Sequence, residues 1–454
     1  MGNKLKDLVL LASQLATVNI INASSAFIAT LFISYLGKEA LAANAIISTT
    51  WNFIINLGIP LLLPVSILIS NLFGSKKAMA IGQVVRNGLY LAALVACPII
   101  LIMLNITYIL NYFNQPPVLV EIVSSYFYIL SFGVLPTLCH IVLKNLYIGI
   151  SRAYIVLYFS ILAVALEIVL SYLLMFGKLG LPCLGFNGIA YAMAIASWII
   201  FIFNIFYLSC SKYYKAFFLF TFHNTQGEKY IKNMIFIGVP VVAQYAIELS
   251  SLNLIIYWMG QFGVIPLAAM QITLQFNIVA LMIIVAVGQA TSVLVAQSYG
   301  DNNIIMAKKT AFFGINLGAA CMICIAFLYY YFPKFLINIY VDAAEFDNNE
   351  LTLLTAKLLS IGGLIQIFES IRIISISALQ GFYDTRVPMF ISFIAYWFVT
   401  IPSSYALGFL FFHGPYGLLF GVLIGIAFGA LISLLRVYKI SPKPHIYNKA
   451  SILS

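Results

Sequence analysis

Apolar residues fall along this chain in runs of twenty or more, separated by short polar stretches rich in glycine, proline or lysine. The runs lie near residues 8–35, 41–73, 84–112, 117–149, 155–177, 186–210, 232–260, 264–298, 307–340, 351–380, 386–412 and 415–438. About twenty apolar residues in a helix cross the hydrocarbon layer of a bilayer, so each run predicts one membrane-spanning helix. The twelve together predict an all-α polytopic membrane protein. Several runs exceed the minimum, which implies tilt or helix ends that project beyond the hydrocarbon.

The longest basic connection, roughly Ser211 to Lys232, separates two sets of six spans. The expected organisation is a first lobe at 1–210, a linker at 211–231, and a second lobe at 232–454 that ends in a short tail. Residues 41–74 align without a gap to 267–300, a constant offset of 226, with identities at Leu41/Leu267, Ala42/Ala268, Ala43/Ala269, Ile46/Ile272, Ser66/Ser292, Leu68/Leu294 and Gly74/Gly300. These seven identities compare with roughly three expected from so biased a composition. Six spans per half give the copies one orientation, so two pseudo-symmetric six-helix bundles related by an axis along the membrane normal are predicted, with a substrate path at their interface.

Composition changes this picture little. With 63% hydrophobic and 8% charged residues, no polar stretch is long enough for a soluble domain. The net charge of +10 does not mark nucleic-acid binding, because the basic residues alternate with apolar runs. Seventeen of the 23 Lys and Arg fall at the termini and in even-numbered loops, four (Lys38, Lys178, Lys334 and Lys357) fall on the opposite side, and Lys144 and Arg372 lie within spans. That bias predicts cytoplasmic termini, in a bacterial inner membrane. Lys4 and Lys6 resemble the start of a signal peptide, but the apolar stretch after them continues to about Tyr35 without a cleavage site and reads as the first span. The cysteines, including the lone CxxC at Cys321 and Cys324, read as small buried hydrophobes. No Walker motif, HExxH, GxSxG or paired zinc-ligand cluster is present, so the chain has no visible machinery of an ATP-driven pump or an enzyme.

The candidate chemistry lies in acids that a membrane should exclude. Of thirteen acidic residues, Glu167, Glu248 and Glu369 fall within spans, where a carboxylate costs several kcal/mol unless it is protonated, paired or wetted. Glu248 follows Gly238-Val239-Pro240 in span seven, and with Gln244 and Ser251 it makes an i, i+4, i+7 polar face. Its repeat mate in span one is Asn22. Glu369 in span ten has Gln366 and Ser370 beside it and Arg372 three residues on. A salt bridge to Arg372 would make Glu369 structural; a pairing with Glu248 would make an acidic cation site, and both readings stand. Glu167 in span five, a turn before Ser171, is a possible acidic site in the first bundle, with His140 and Lys144 of span four as possible partners. Gln271 and Gln275, at i and i+4 in span eight, could line a substrate cavity together with Asn22, Gln244, Ser251 and Gln366.

At these residues the chain resembles the multidrug and toxic compound extrusion (MATE) family, and within it the NorM-like branch. The strings that carry the resemblance are GVPVVAQYAIELS around Glu248, LAAMQITLQF followed by GQATSVLVAQSYGDNN in span eight, SALQGFYDTRVPM after Glu369, and FGKLGLPCLGFNGIAYA after Glu167. The resemblance implies a V-shaped pair of bundles and a monomeric antiporter that exports small organic, drug-like compounds, cationic ones among them, in exchange for H⁺ or Na⁺, with no cofactor. It places the family's cation-coupling acids at Glu248 and Glu369. The acid that many relatives carry in span one falls near Ala29 or Thr30 here, the Tyr that assists Na⁺ falls at Ile365, and a usual span-five Asn falls at Glu167. Na⁺ wants about six oxygens, and with that Tyr lost the residues lean toward H⁺. The alternative is a lipid-linked oligosaccharide flippase of the same superfamily, which would need a basic cavity where this chain offers carboxylates.

Overall fold

Each predicted run folds as a helix. The computed structural model describes residues 2–217, 227–339, 349–411 and 414–440. Among these residues twelve helices are long and apolar enough to span a membrane: Lys4–Ser34, Glu39–Gly74, Ala78–Leu104, Pro117–Gly149, Ala153–Phe176, Asn187–Cys210, Tyr230–Gly260, Val264–Gly300, Ile304–Tyr331, Glu350–Gly381, Arg386–Leu410 and Gly414–Lys439. No strand occurs among the described residues. Residues 218–226 of the expected linker, and the tail from 441, lie outside them. Phe27, Phe53, Leu94, Phe206, Phe327 and Phe398 are exposed along their helices, and for apolar side chains like these hydrocarbon is a natural surrounding. The chain is an integral, multi-pass α-helical membrane protein. One expectation fails: of the six cysteines only Cys139 is buried, whereas Cys97, Cys183, Cys210 and Cys324 are exposed and Cys321 is half-exposed. A thiol inside an apolar run can face lipid as readily as the protein core.

Two compact units divide the chain, Met1–Leu249 and Ser250–Ser454. Each is organised on one central helix. In the first unit span four packs against spans two, three and six, with span five against spans one and six. In the second, span ten packs against spans eight, nine and twelve, with span eleven against span twelve.

The internal repeat extends well beyond the aligned strings and into backbone conformation. Gly37 and Gly263, 226 residues apart, precede spans two and eight with φ of 100° and 114° and a common ψ of −177°. Left-handed turns also recur, at Lys76 and Asn302 after those spans and at Ser151 and Tyr383 after spans four and ten. The last glycines of spans four and ten make the same close approach. A methyl group on Gly149 would lie 3.1 Å from the Ser66 carbonyl oxygen, and one on Gly381 would lie 2.6 Å from that of Ser292. Ser66 and Ser292 are themselves 226 apart.

Breaks in the helices have local causes and local remedies. Pro60 and Pro64 tighten span two into a 3-10 turn at Ile59–Leu62, and Asn145 of span four donates its Nδ2–H to the Leu62 carbonyl at 3.0 Å. Around Pro402 the backbone of span eleven widens to i to i+5 bonding at Ile394–Thr400 and Ala406–Leu410. Ser403 and Ser404 there donate to the Gly421 and Leu418 carbonyls of span twelve, each at 3.0 Å.

Candidate functional site

All three intramembrane acids find polar partners, each on its own terms. In the first unit, spans one and five pack along their length, and Phe32 packs against Tyr172 and Phe176 toward one end. Deeper along this seam the buried Ser25 hydroxyl donates to Glu167 Oε2 at 2.7 Å. Asn22, one turn before Ser25, is exposed. His140, expected as a partner of Glu167, sits with Nδ1 3.3 Å from Asn204 Nδ2 of span six instead. That amide also donates to the Ile200 carbonyl, so the imidazole Nδ1 is the acceptor in the contact.

Span seven carries the second acid. Gly238 lets its helix approach Leu61, since a methyl group there would lie 3.0 Å from the Leu61 carbonyl oxygen, and Pro240 sits inside the helix two residues later. One turn beyond, the buried Gln244 donates its Nε2–H to Glu248 Oε1 at 2.9 Å. The i, i+4 spacing read from the sequence therefore forms a real contact. Glu248 is itself half-buried and lies one residue before the end of the first unit. Ser251 belongs to the second unit, fully buried, and its hydroxyl oxygen has no hydrogen-bond partner among the described residues.

In the second unit Glu369 and Arg372 face one another on span ten. Arg372 Nη2 donates to Glu369 Oε1 at 2.6 Å and Nε donates to Oε2 at 2.9 Å, so both carboxylate oxygens are engaged by one guanidinium. Arg372 is fully buried. Its Nη1 lies 3.4 Å from Ser392 Oγ, and the guanidinium carbon lies 5.1 Å from the centre of the Tyr396 ring, both on span eleven. A turn before Glu369, the buried Gln366 places Nε2 3.4 Å from the Asn277 carbonyl of span eight. The side-chain carbonyl oxygens of Gln366 and Asn277 are both buried without a partner among the described residues. Gln271 and Gln275, on the same helix as Asn277, are exposed.

Ser25 and Asn277 escaped sequence reasoning. A signal for Ser25 was present, because it stands 226 residues before Ser251, a residue already singled out on span seven. Asn277 keeps no helical spacing to Gln275 two residues before it, and only the packing of span eight on span ten brings it to Gln366. Among the described residues, no group of three or more His, Cys, Asp or Glu is placed to hold a metal ion.

This architecture has known counterparts. Over 96% of this chain and 95% of the other, it superposes with a TM-score of 0.86 and 16% identity on the outward-facing conformation of a multidrug resistance MATE family transporter of the MOP superfamily. A crystal structure of MATE in the bent conformation gives a TM-score of 0.87 over the same shares. In sequence it is 26% identical over 435 residues, 96% of this chain and 94% of the relative, to the "Probable multidrug resistance protein NorM" of Synechocystis sp.. It is 25% identical over 436 residues, 95% and 94% of the two chains, to the "Multidrug resistance protein NorM" of Photobacterium profundum. The MatE family model matches twice, at residues 15–173 and 240–406, once in each half of the repeat. The chain belongs to the MatE family: it is a transporter, not an enzyme.

Proposed function

We propose that this protein is a secondary active antiporter that exports organic, drug-like compounds, cationic ones among them, in exchange for an inward-moving cation, H⁺ in preference to Na⁺, by alternating access. The observation that carries the reading is the half-buried carboxylate of Glu248 on span seven, bonded to Gln244 in a helix that otherwise suits lipid. A carboxylate kept at membrane depth marks an ion path. Coupling needs only that the cation favours one conformation and the exported compound the other, since the difference in affinity links the two fluxes. The membrane potential adds about 2.3 kcal/mol per charge per 100 mV. Relatives named for multidrug resistance support the class of exported compound. The bias of basic residues supports cytoplasmic termini, the bacterial relatives support a bacterial inner membrane, and a monomer holds a complete pair of halves.

The test is dye efflux from proteoliposomes with imposed gradients. An inward pH gradient without Na⁺ is expected to drive export. Export that is absent until Na⁺ is added, and is driven by a Na⁺ gradient alone, overturns the preference for H⁺. Export indifferent to both gradients overturns antiport.

A further inference from the structure

Glu369 stands where a cation-binding acid is expected in span ten, yet its two oxygens are already in use. We propose that Arg372 is a tethered cation that fills the Glu369 site permanently, so that this acid takes no coupling ion and Arg372 sets the protein's ion specificity by closing the site to Na⁺. The inference rests on the antiport reading and deepens it, by leaving the moving cation to Glu248 or Glu167.

The geometry supports a fixed guanidinium. Two parallel N–H bonds of 2.6 and 2.9 Å to the two oxygens match the planar fork of arginine to the carboxylate. The i, i+3 spacing lets span ten form the pair by itself, and two neighbours then hold the charged end in place while a third lies along the stem. Ser392 lies 3.4 Å from Nη1, and the Tyr396 ring lies 5.1 Å from the guanidinium carbon. The aliphatic stem runs along Gly429 of span twelve, where a methyl group would lie 3.2 Å from Arg372 Cδ. A surface arginine would bring its head to water; this one is fully buried. A Na⁺ ion at Glu369 would have to displace a guanidinium that could not reach water, leaving a second positive charge beside it. The unpartnered oxygens of Gln366 and Asn277 lie one turn away on the side of span eight, neutral donors that would help a small cation only if the carboxylate were free.

The experiment measures Na⁺ binding and not transport, so its outcome is separate from that of the efflux assay. Thermal unfolding of the detergent-solubilised full chain is followed in NaCl and in choline chloride of equal ionic strength, for wild type, Arg372→Gln and the Glu369→Gln/Arg372→Gln double variant. Freeing the carboxylate is expected to give Arg372→Gln a Na⁺-dependent rise in midpoint at least about 2 °C larger than that of wild type. The double variant is expected to return to the wild-type response. A folded Arg372→Gln whose Na⁺ response equals that of wild type overturns the proposal. Because Arg372→Gln leaves a buried carboxylate unpaired and could fail to fold, wild type is also treated with dicyclohexylcarbodiimide and its peptides are analysed by mass spectrometry. The reagent adds to the O–H of a carboxylic acid and is expected to leave Glu369, which accepts N–H bonds at both oxygens, unmodified. Labelling of Glu369 in wild type that Na⁺ suppresses overturns the proposal independently of any variant.

Discussion

The Ser25 to Glu167 hydrogen bond offers the sharpest energetic test of the first unit, because it joins two helices through one pair of atoms. The perturbation is a double-mutant cycle of Ser25→Ala, Glu167→Leu and their combination, each single change removing one partner of the bond. Ser25 is 6% exposed and its hydroxyl lies 2.7 Å from Glu167 Oε2, a short bond in a setting with little competing water. Hydrogen bonds to charged groups contribute about 1.5–3 kcal/mol and neutral ones about 0.5–1.5 kcal/mol. Burial and the short distance put the expected coupling energy at about 2 kcal/mol, or about thirtyfold in the unfolding equilibrium. The assay is reversible unfolding in mixed micelles with increasing sodium dodecyl sulfate, read by the fluorescence of the four tryptophans. Contacting pairs couple, whereas distant pairs add within about 0.3–0.5 kcal/mol. If the two single changes simply add, the bond contributes nothing and the seam between spans one and five is held by its apolar and aromatic contacts alone.

Two further outcomes follow from the geometry. Glu248→Gln keeps a group that can still accept from Gln244, so it is expected to express and fold as wild type does while gradient-driven dye efflux in proteoliposomes falls at least about tenfold; efflux at the wild-type rate from equal amounts of protein removes Glu248 from the coupling. Gly381→Ala is expected to destabilise the protein by about 1–3 kcal/mol and more than Gly149→Ala does, because its methyl group meets the Ser292 backbone oxygen at 2.6 Å, whereas on Gly149 the nearest atom is the Ile69 Cγ2 side-chain methyl at 2.8 Å and the Ser66 backbone oxygen lies at 3.1 Å; equal unfolding midpoints for the two variants would show that the helix pairs relax freely.

The sequence by itself determined the class of fold. Runs of apolar residues long enough to cross hydrocarbon leave few alternatives to a spanning helix, and the repeat offset of 226 appears again in the backbone at Gly37 and Gly263 and in the left-handed turns at Lys76 and Asn302. Local spacing also determined contacts within a single helix: Gln244 with Glu248 at i, i+4 and Glu369 with Arg372 at i, i+3 both form. What the helices do to one another was decided only in three dimensions. Periodicity marks a polar face without saying which neighbour meets it, so Ser25 beside Glu167, Asn277 beside Gln366 and Asn204 beside His140 came only from packing. The same limit applies to the thiols, which read as core residues and mostly face outward, because lipid and protein interior are equally apolar and composition cannot tell them apart. For Glu369 the sequence offered both a salt bridge and a cation site. The tertiary structure shows the ion pair, because Ser392, Tyr396 and Gly429 arrive from two other helices to enclose a guanidinium that span ten alone could have turned elsewhere.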